Sequence, residues 1–209
     1  MHYLPEYARF VISLFAILSP FAAIPLFLTL TDGFDTLQKS RTAAAASATV
    51  AAVLIVSGFA GEPILAALGT SLDAFRVGGG IVLLLVALSM LSAQTSTVQH
   101  RPEEAAEADT SSVGVVPLGI PLLAGPGSIS AVIIEMSHQP GYGHQAAIVL
   151  CILVVCVATW LVLHLAYPIG QRLGKIGLNV LSRLFGLILA AIAVQVMATG
   201  LRALFPGLA

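Results

Sequence analysis

Six apolar stretches organise this sequence, roughly 7–31, 38–60, 71–93, 113–137, 145–167 and 179–203. Each can cross a bilayer as a helix, for which about 20 apolar residues suffice. Together they take up most of the 209 residues and leave no room for a soluble domain. Only 9% of the chain is charged, whereas a water-soluble domain carries roughly a quarter charged residues. That shortfall excludes an ordinary soluble enzyme and a disordered chain, and no basic patch is present to hold nucleic acid. The fold class that follows is an all-α polytopic membrane protein of six transmembrane helices, with the lipid bilayer as its first partner.

The chain begins Met1-His2-Tyr3-Leu4-Pro5-Glu6, with neither a basic region nor a small-residue cleavage site. Its first apolar run therefore reads as a retained helix and not as a signal peptide. Between the third and fourth spans, residues 94–112 carry Arg101, Glu103, Glu104, Glu107 and Asp109 and read as a flexible acidic loop. Orientation comes from the basic residues. Lys39, Arg41, Arg101, Arg172, Lys175 and Arg183 fall on one side, and Arg9, Arg76 and Arg202 on the other. The richer side is expected to be cytoplasmic, with both termini periplasmic. Cys151 and Cys156 share one apolar run at i, i+5 and point to different helix faces, so they read as small buried hydrophobes rather than a disulfide or metal pair.

A repeat is visible beneath the hydrophobicity. Phe75-Arg76-Val77-Gly78-Gly79-Gly80 aligns with Ser182-Arg183-Leu184-Phe185-Gly186-Leu187 at an offset of 107. Leu18-Ser19-Pro20-Phe21-Ala22 aligns with Ala124-Gly125-Pro126-Gly127-Ser128 at an offset of 106. Two matches at nearly one offset point to a duplicated unit, 1–93 and 113–209. Each unit holds three spans, an odd number, so the second copy must be inverted in the membrane, an architecture common among secondary transporters.

The first span is interrupted at Ser19-Pro20 and again at Pro25; the fourth carries Pro117, Pro121 and Gly125-Pro126-Gly127. Proline removes a backbone donor and clashes with the preceding turn, so both spans are expected to break. Ser19 reads as an N-cap with Pro20 at the first helical position, and Gly125-Pro126 repeats the order. Irregular backbone at membrane depth survives only against protein or a water-filled cavity. Amides at the start of each second half-helix can hold a carboxylate, and freed carbonyls can accept from an ammonium group. A small zwitterion fits that pair of sites. The competing reading is that the prolines only kink two spans for packing.

Other polar positions carry two readings each. Arg76 and Arg183 either snorkel to the headgroups or act as gates and carboxylate partners, with Asp73 and Asn179 as N-caps beside them. Gly78-Gly79-Gly80 and Gly186 let helices approach closely or make room for substrate. Glu135 and His164 are either interfacial or carriers of a coupling proton. Gln195, deep in the sixth span, needs a partner for its amide and marks a candidate pathway. Gly127-Ser128 with His164 offers a hydrolase pair, but no orienting acid or oxyanion arrangement is legible, and the chain reads as no enzyme. No metal site, cofactor, sodium site or oligomeric state can be read.

Val116-Pro117-Leu118-Gly119-Ile120-Pro121-Leu122-Leu123-Ala124-Gly125-Pro126-Gly127-Ser128-Ile129-Ser130, Phe75-Arg76-Val77-Gly78-Gly79-Gly80 and Arg183-Leu184-Phe185-Gly186-Leu187-Ile188-Leu189-Ala190-Ala191 carry a resemblance. Along nearly its whole length the chain resembles the MarC family of bacterial inner-membrane proteins, also described as six-span neutral amino acid transporters. It also looks like a distant relative of the LysE-type exporters. The resemblance implies transport of small neutral amino acids such as glycine, alanine or serine across the inner membrane; the inverted halves add alternating access as the expected mechanism, with a proton or sodium ion as candidate coupling partner. Substrate contacts would then come from Ser19, Pro20, Phe21, Ala22, Pro25, Gly125, Pro126, Gly127 and Ser128. Gly78, Gly79 and Gly186 would shape the cavity, and Gln195 would add polarity. The family's first-span motif reads Asn-Pro, with Gly two positions after the proline. Here Ser19 stands for the Asn and Ala22 for the Gly. A membrane interaction protein without transport activity is the second hypothesis.

Overall fold

The computed structural model describes residues 4–92, 114–138 and 141–208. The acidic loop expected at 94–112 lies outside the described residues. All regular structure described is helical. Helices α1 (Leu4–Leu18) and α2 (Pro20–Leu30) form the first apolar span, followed by α3 (Thr36–Ala67) and α4 (Leu72–Ser92). An irregular turn-rich segment, Gly114–Leu123, leads into α5 (Pro126–His138), and α6 covers Tyr142–Leu204. Among the described residues five stretches are long and apolar enough to cross a membrane: Pro5–Leu30, Thr36–Ala67, Leu72–Ser92, Tyr142–Ala166 and Asn179–Leu204.

The fourth span is broken, as its prolines lead one to expect, and the irregularity extends ahead of Gly125: Val116 (φ −133°, ψ 129°) and Ile120 (φ −131°, ψ 129°) are extended. Each precedes a proline, whose ring forces the residue before it out of the helical region. Pro25 behaves differently. The second interruption expected there does not occur, and α2 continues through it to Leu30. Pro63 is likewise carried inside α3, which runs to Ala67 and past the expected end near 60. A single lost hydrogen bond is borne by the bonds on either side of it, whereas Pro117 and Pro121, four apart, remove two successive turns.

Contacts between helices fix their directions. Tyr7 meets His144 and Phe27 shares a cavity wall with Leu163, so α1 and α2 run parallel to 142–166. Gly114 lies against Thr42 and Ala46, Gly119 against Thr49, and Gly61 against Ile133, so Gly114–His138 runs along α3 in the same direction. Gly200 meets Asp73, and Gly186 meets Met90. Residues 179–204 therefore run antiparallel to α4. Both apolar parts of α6 also reach α5 at the same end, since His144 bonds the Glu135 carbonyl and Glu135 shares a cavity with Gln195 and Thr199. The reversal falls between residues 166 and 179, a stretch that contains Pro168.

The core gathers at the centre around Leu14, Phe27, Leu54, Leu123, Ile152 and Leu163, all buried. Ile12, Leu85, Val157 and Leu187 are exposed on the outside, as a lipid-facing surface requires. Cys151 and Cys156 are free and buried. Small residues set the closest approaches. A side chain at Gly79 would overlap Pro126, and one at Gly80 would overlap Met197. Gly78 faces open space. Gly79→Ala should therefore lower the stability of the detergent-solubilised protein by about 1–3 kcal/mol through overpacking, while Gly78→Ala should leave it unchanged or slightly raised. Thermal unfolding of the two variants checks this, and equal losses would contradict the assigned face.

Candidate functional site

The first break is a left-handed residue. Ser19 has φ 46° and ψ 56°, and its amide still bonds the Phe15 carbonyl at 3.1 Å as the last turn of α1. The chain then restarts at Pro20, with the Ala22 amide donating to the Ser19 carbonyl at 2.9 Å. The expected N-cap is corrected here, because the Ser19 side chain makes no capping bond. Its conformation suits glycine or asparagine far better than serine.

The second break is arranged otherwise. The Ser128 hydroxyl donates to the carbonyls of Gly125 at 2.9 Å and Leu123 at 3.2 Å, and Ser128 is only 1% exposed. The Gly125 carbonyl also accepts from the Ile129 amide, so at Leu123 the hydroxyl stands in for a backbone donor and at Gly125 it adds a second bond. The Ala124 amide reaches back to Gly119 at 2.8 Å, and α5 starts with Ile129 donating to Gly125 at 3.0 Å.

The two breaks meet. Ser19 and Ala22 from the first, with Gly125, Gly127 and Ser128 from the second, line one small chamber of about 20 Å³. That volume accommodates a single water at most. Its remaining walls are apolar, among them Leu83, Leu122 and Leu189. Beside it opens a vestibule of about 850 Å³ between α1, α5 and the second part of α6. Glu6, Arg9 and Ser13 project from α1, Glu135 and His138 from α5, and Gln195 and Thr199 from α6, with Arg76 reaching in from α4. The vestibule is a mixed-charge mouth above a nearly apolar throat. Ile17, Gly127, Ile192 and Val196 line both spaces and separate them.

The structure distributes the remaining candidates unevenly. Gln195, Arg76 and Glu135 face the vestibule. Arg76 pairs with Asp73 at 2.8 Å, and the cap of α4 is Ser71, whose hydroxyl accepts from the Ala74 amide at 3.1 Å. Asp73 is thus the partner of Arg76 and not the N-cap. Arg183 is exposed and lines neither space, and Asn179 is internal to α6 rather than a cap. Phe21 is exposed and packs edge-on to Phe15; Pro20 and Pro25 are buried; none of the three lines the chamber. Gly78 faces outward and a Cβ added at Gly186 would lie 3.0 Å from Met90, so neither shapes a cavity, while Gly79 touches the site only through Pro126. His164 stacks on Trp160 at the opposite end, beside Lys39, far from Ser128, which removes the hydrolase pair.

One cluster was not legible from sequence. Tyr7 Oη lies 3.1 Å from His144 Nδ1, and His144 Nε2 lies 2.9 Å from the Glu135 carbonyl. A carbonyl can only accept, so Nε2 donates and Nδ1 accepts from the tyrosine. This chain of bonds ties α1, α5 and α6 together at the vestibule's outer edge. Tyr7 and His144 are 137 positions apart, and no local spacing announces the pair.

Comparison with known proteins decides the family. Residues 4–205 match the MarC family of integral membrane proteins. The chain belongs to the MarC family. It is 41% identical over 192 residues to a UPF0056 membrane protein of Methanocaldococcus jannaschii, covering 91% of this chain and 93% of that one. The UPF0056 membrane protein YvbG of Bacillus subtilis is 38% identical over 199 residues, 93% of each chain. YhcE of Escherichia coli is 34% identical over 205 residues, covering 98% and 95%. No solved structure matches the chain. MarC proteins are integral membrane proteins and not a family of enzymes.

The left-handed Ser19 makes a direct prediction. Ser19→Asn should raise stability by about 0.5–1 kcal/mol, because asparagine tolerates that conformation and serine does not. Thermal unfolding measures it, and an unchanged or lower midpoint would contradict the conformation assigned to the break.

Proposed function

We propose that this MarC protein is a secondary transporter of small neutral amino acids, built as six crossings in two inverted three-helix halves. The observation that carries the reading is the meeting of the two helix breaks at one buried chamber with a polar vestibule on one side of it. The first broken span, α1–α2, and the second, Gly114–His138, run in opposite directions, as inverted copies must. Each is followed by one long helix and then by a helix whose glycine is packed closely, Gly79 in α4 and Gly186 in α6. Arg9 and Arg76 share the vestibule while Lys39 lies at the other end, and the basic-residue count supports a periplasmic vestibule with both termini on that side.

In this reading the protein rests with its periplasmic mouth open and its binding chamber closed. A zwitterion meets acidic and basic groups together in the vestibule, where Glu6 and Glu135 suit an ammonium and Arg9 and Arg76 a carboxylate. Rocking of the α1 and α5 half-helices then widens the chamber around the solute and, later, opens the opposite side. Ser19 and Ser128 are the hydroxyls nearest the solute, and Ala22 limits its size. Glu135 and His138 in the vestibule are the groups placed to carry a coupling proton. The alternative, a membrane interaction protein whose breaks only pack helices, draws on the small volume of the chamber.

Uptake of labelled glycine, alanine and serine into proteoliposomes, with and without proton and sodium gradients, tests the proposal. Saturable uptake that follows one gradient is expected, and Gly127→Leu should reduce it to the protein-free level. Absence of uptake from folded protein for all three solutes would favour the alternative. Unchanged uptake by Gly127→Leu would remove the chamber from the route.

A further inference from the structure

We infer that Ile17, Ile192 and Val196 form an apolar gate between the vestibule and the chamber, with Gly127 as the gap through which a solute passes. The inference rests on the transport reading above and deepens it. These residues alone line both spaces. A Cβ built at Gly127 would lie 3.3 Å from Ile17 Cγ2 and 3.5 Å from Val196 Cγ2, so position 127 points into the space between them. Ile192 and Val196 are four apart on α6 and present one face, while Ile17 belongs to the last turn of α1, two residues before the left-handed Ser19.

The choice of residue types has a mechanical consequence. Isoleucine and valine branch at Cβ, and in a helix one χ1 rotamer dominates. Such side chains cannot swing aside, so the barrier opens when a helix moves. The break at Ser19 allows α1 to tilt without α2, and α2 is buried along Ala22–Leu28. Closed, an apolar constriction of this kind excludes water as well as solute. The gate thus couples passage of the solute to movement of the half-helix that carries Ile17.

Thiol labelling reads this barrier without requiring transport. The test uses full-length protein with Cys151→Ala and Cys156→Ala, carrying Ser19→Cys as reporter in the chamber. A membrane-impermeant methanethiosulfonate with a quaternary ammonium group is added from the vestibule side in right-side-out vesicles, and from the other side in inverted ones. Labelling from the vestibule side should be slow with the gate intact. Val196→Ala or Ile17→Ala should accelerate it on the order of tenfold, since each removes two or three carbons that are only part-buried, and a fully buried methylene is worth about fourfold. Gly127→Val should slow it again in either background. Acceleration that appears only from the opposite side, or fast labelling before any truncation, would overturn the gate. So would unchanged labelling in both truncations and in the milder Ile192→Val, each shown to be folded by gel filtration. A protein that fails to take up amino acids yet shows the expected labelling retains the gate and loses only the substrate assignment.

Discussion

A backbone amide or carbonyl left unpaired in hydrocarbon costs several kcal/mol, and no water is there to relieve it. Two of this protein's spans are nevertheless broken at the level of the core. The rest of the structure answers that cost. The breaks turn towards each other, so that Ser19 and Ala22 share one lining with Gly125, Gly127 and Ser128, and Gly114 and Gly119 press against α3, while the extended Val116 and Ile120 stay exposed. Ser128 spends its hydroxyl on two carbonyls of its own break, and the Ala22 amide is taken up by Ser19. Gly79 lets α4 close over Pro126. What remains is a small chamber with two hydroxyls and little else, bordered on the vestibule side by three branched side chains.

The same constraint explains the division of labour among charged groups. None of the residues lining the chamber is ionisable, while the vestibule holds Glu6, Arg9, Arg76, Glu135 and His138. Charge is affordable where water reaches and is kept out of the throat. The Tyr7–His144–Glu135 chain of bonds stands at the rim of the vestibule, joining the first helix to the second half of the protein. A short α5, anchored on α3 through Ile133 against Gly61, is flanked by the vestibule and by a further cavity of about 520 Å³ near Glu62 and Ser137. It is the element with room on two sides.

Much of this was legible in the sequence, and the reasons differ by feature. The spans follow from hydropathy and length, and the breaks follow from proline, whose effect on its neighbours is local and independent of the fold. The convergence of Ser19, Ala22, Gly125, Gly127 and Ser128 followed from treating the two breaks as equivalent. Helix faces were not legible. In lipid the outside of a helix is as apolar as the inside, so no amphipathic stripe separates Gly78, which faces outward, from Gly79, which packs on Pro126. The gate was invisible for the same reason, since Ile17, Ile192 and Val196 are apolar residues among apolar residues. The capping role given to Asp73 failed because its carboxylate is taken by Arg76 one turn on, which leaves Ser71 to cap. Pro25 failed as a breaker because one missing bond does not end a helix that is buried along most of its length.

The central claim is that α1 and α6 move apart and together around the chamber. Spin labels at Ser13 on α1 and Thr199 on α6, which face each other across the vestibule, would read that movement by pulsed electron resonance in lipid nanodiscs. Two distance populations are predicted, with the shorter one enriched when a transported amino acid is added. One population, unaltered by every solute that the protein is shown to bind, would contradict the account.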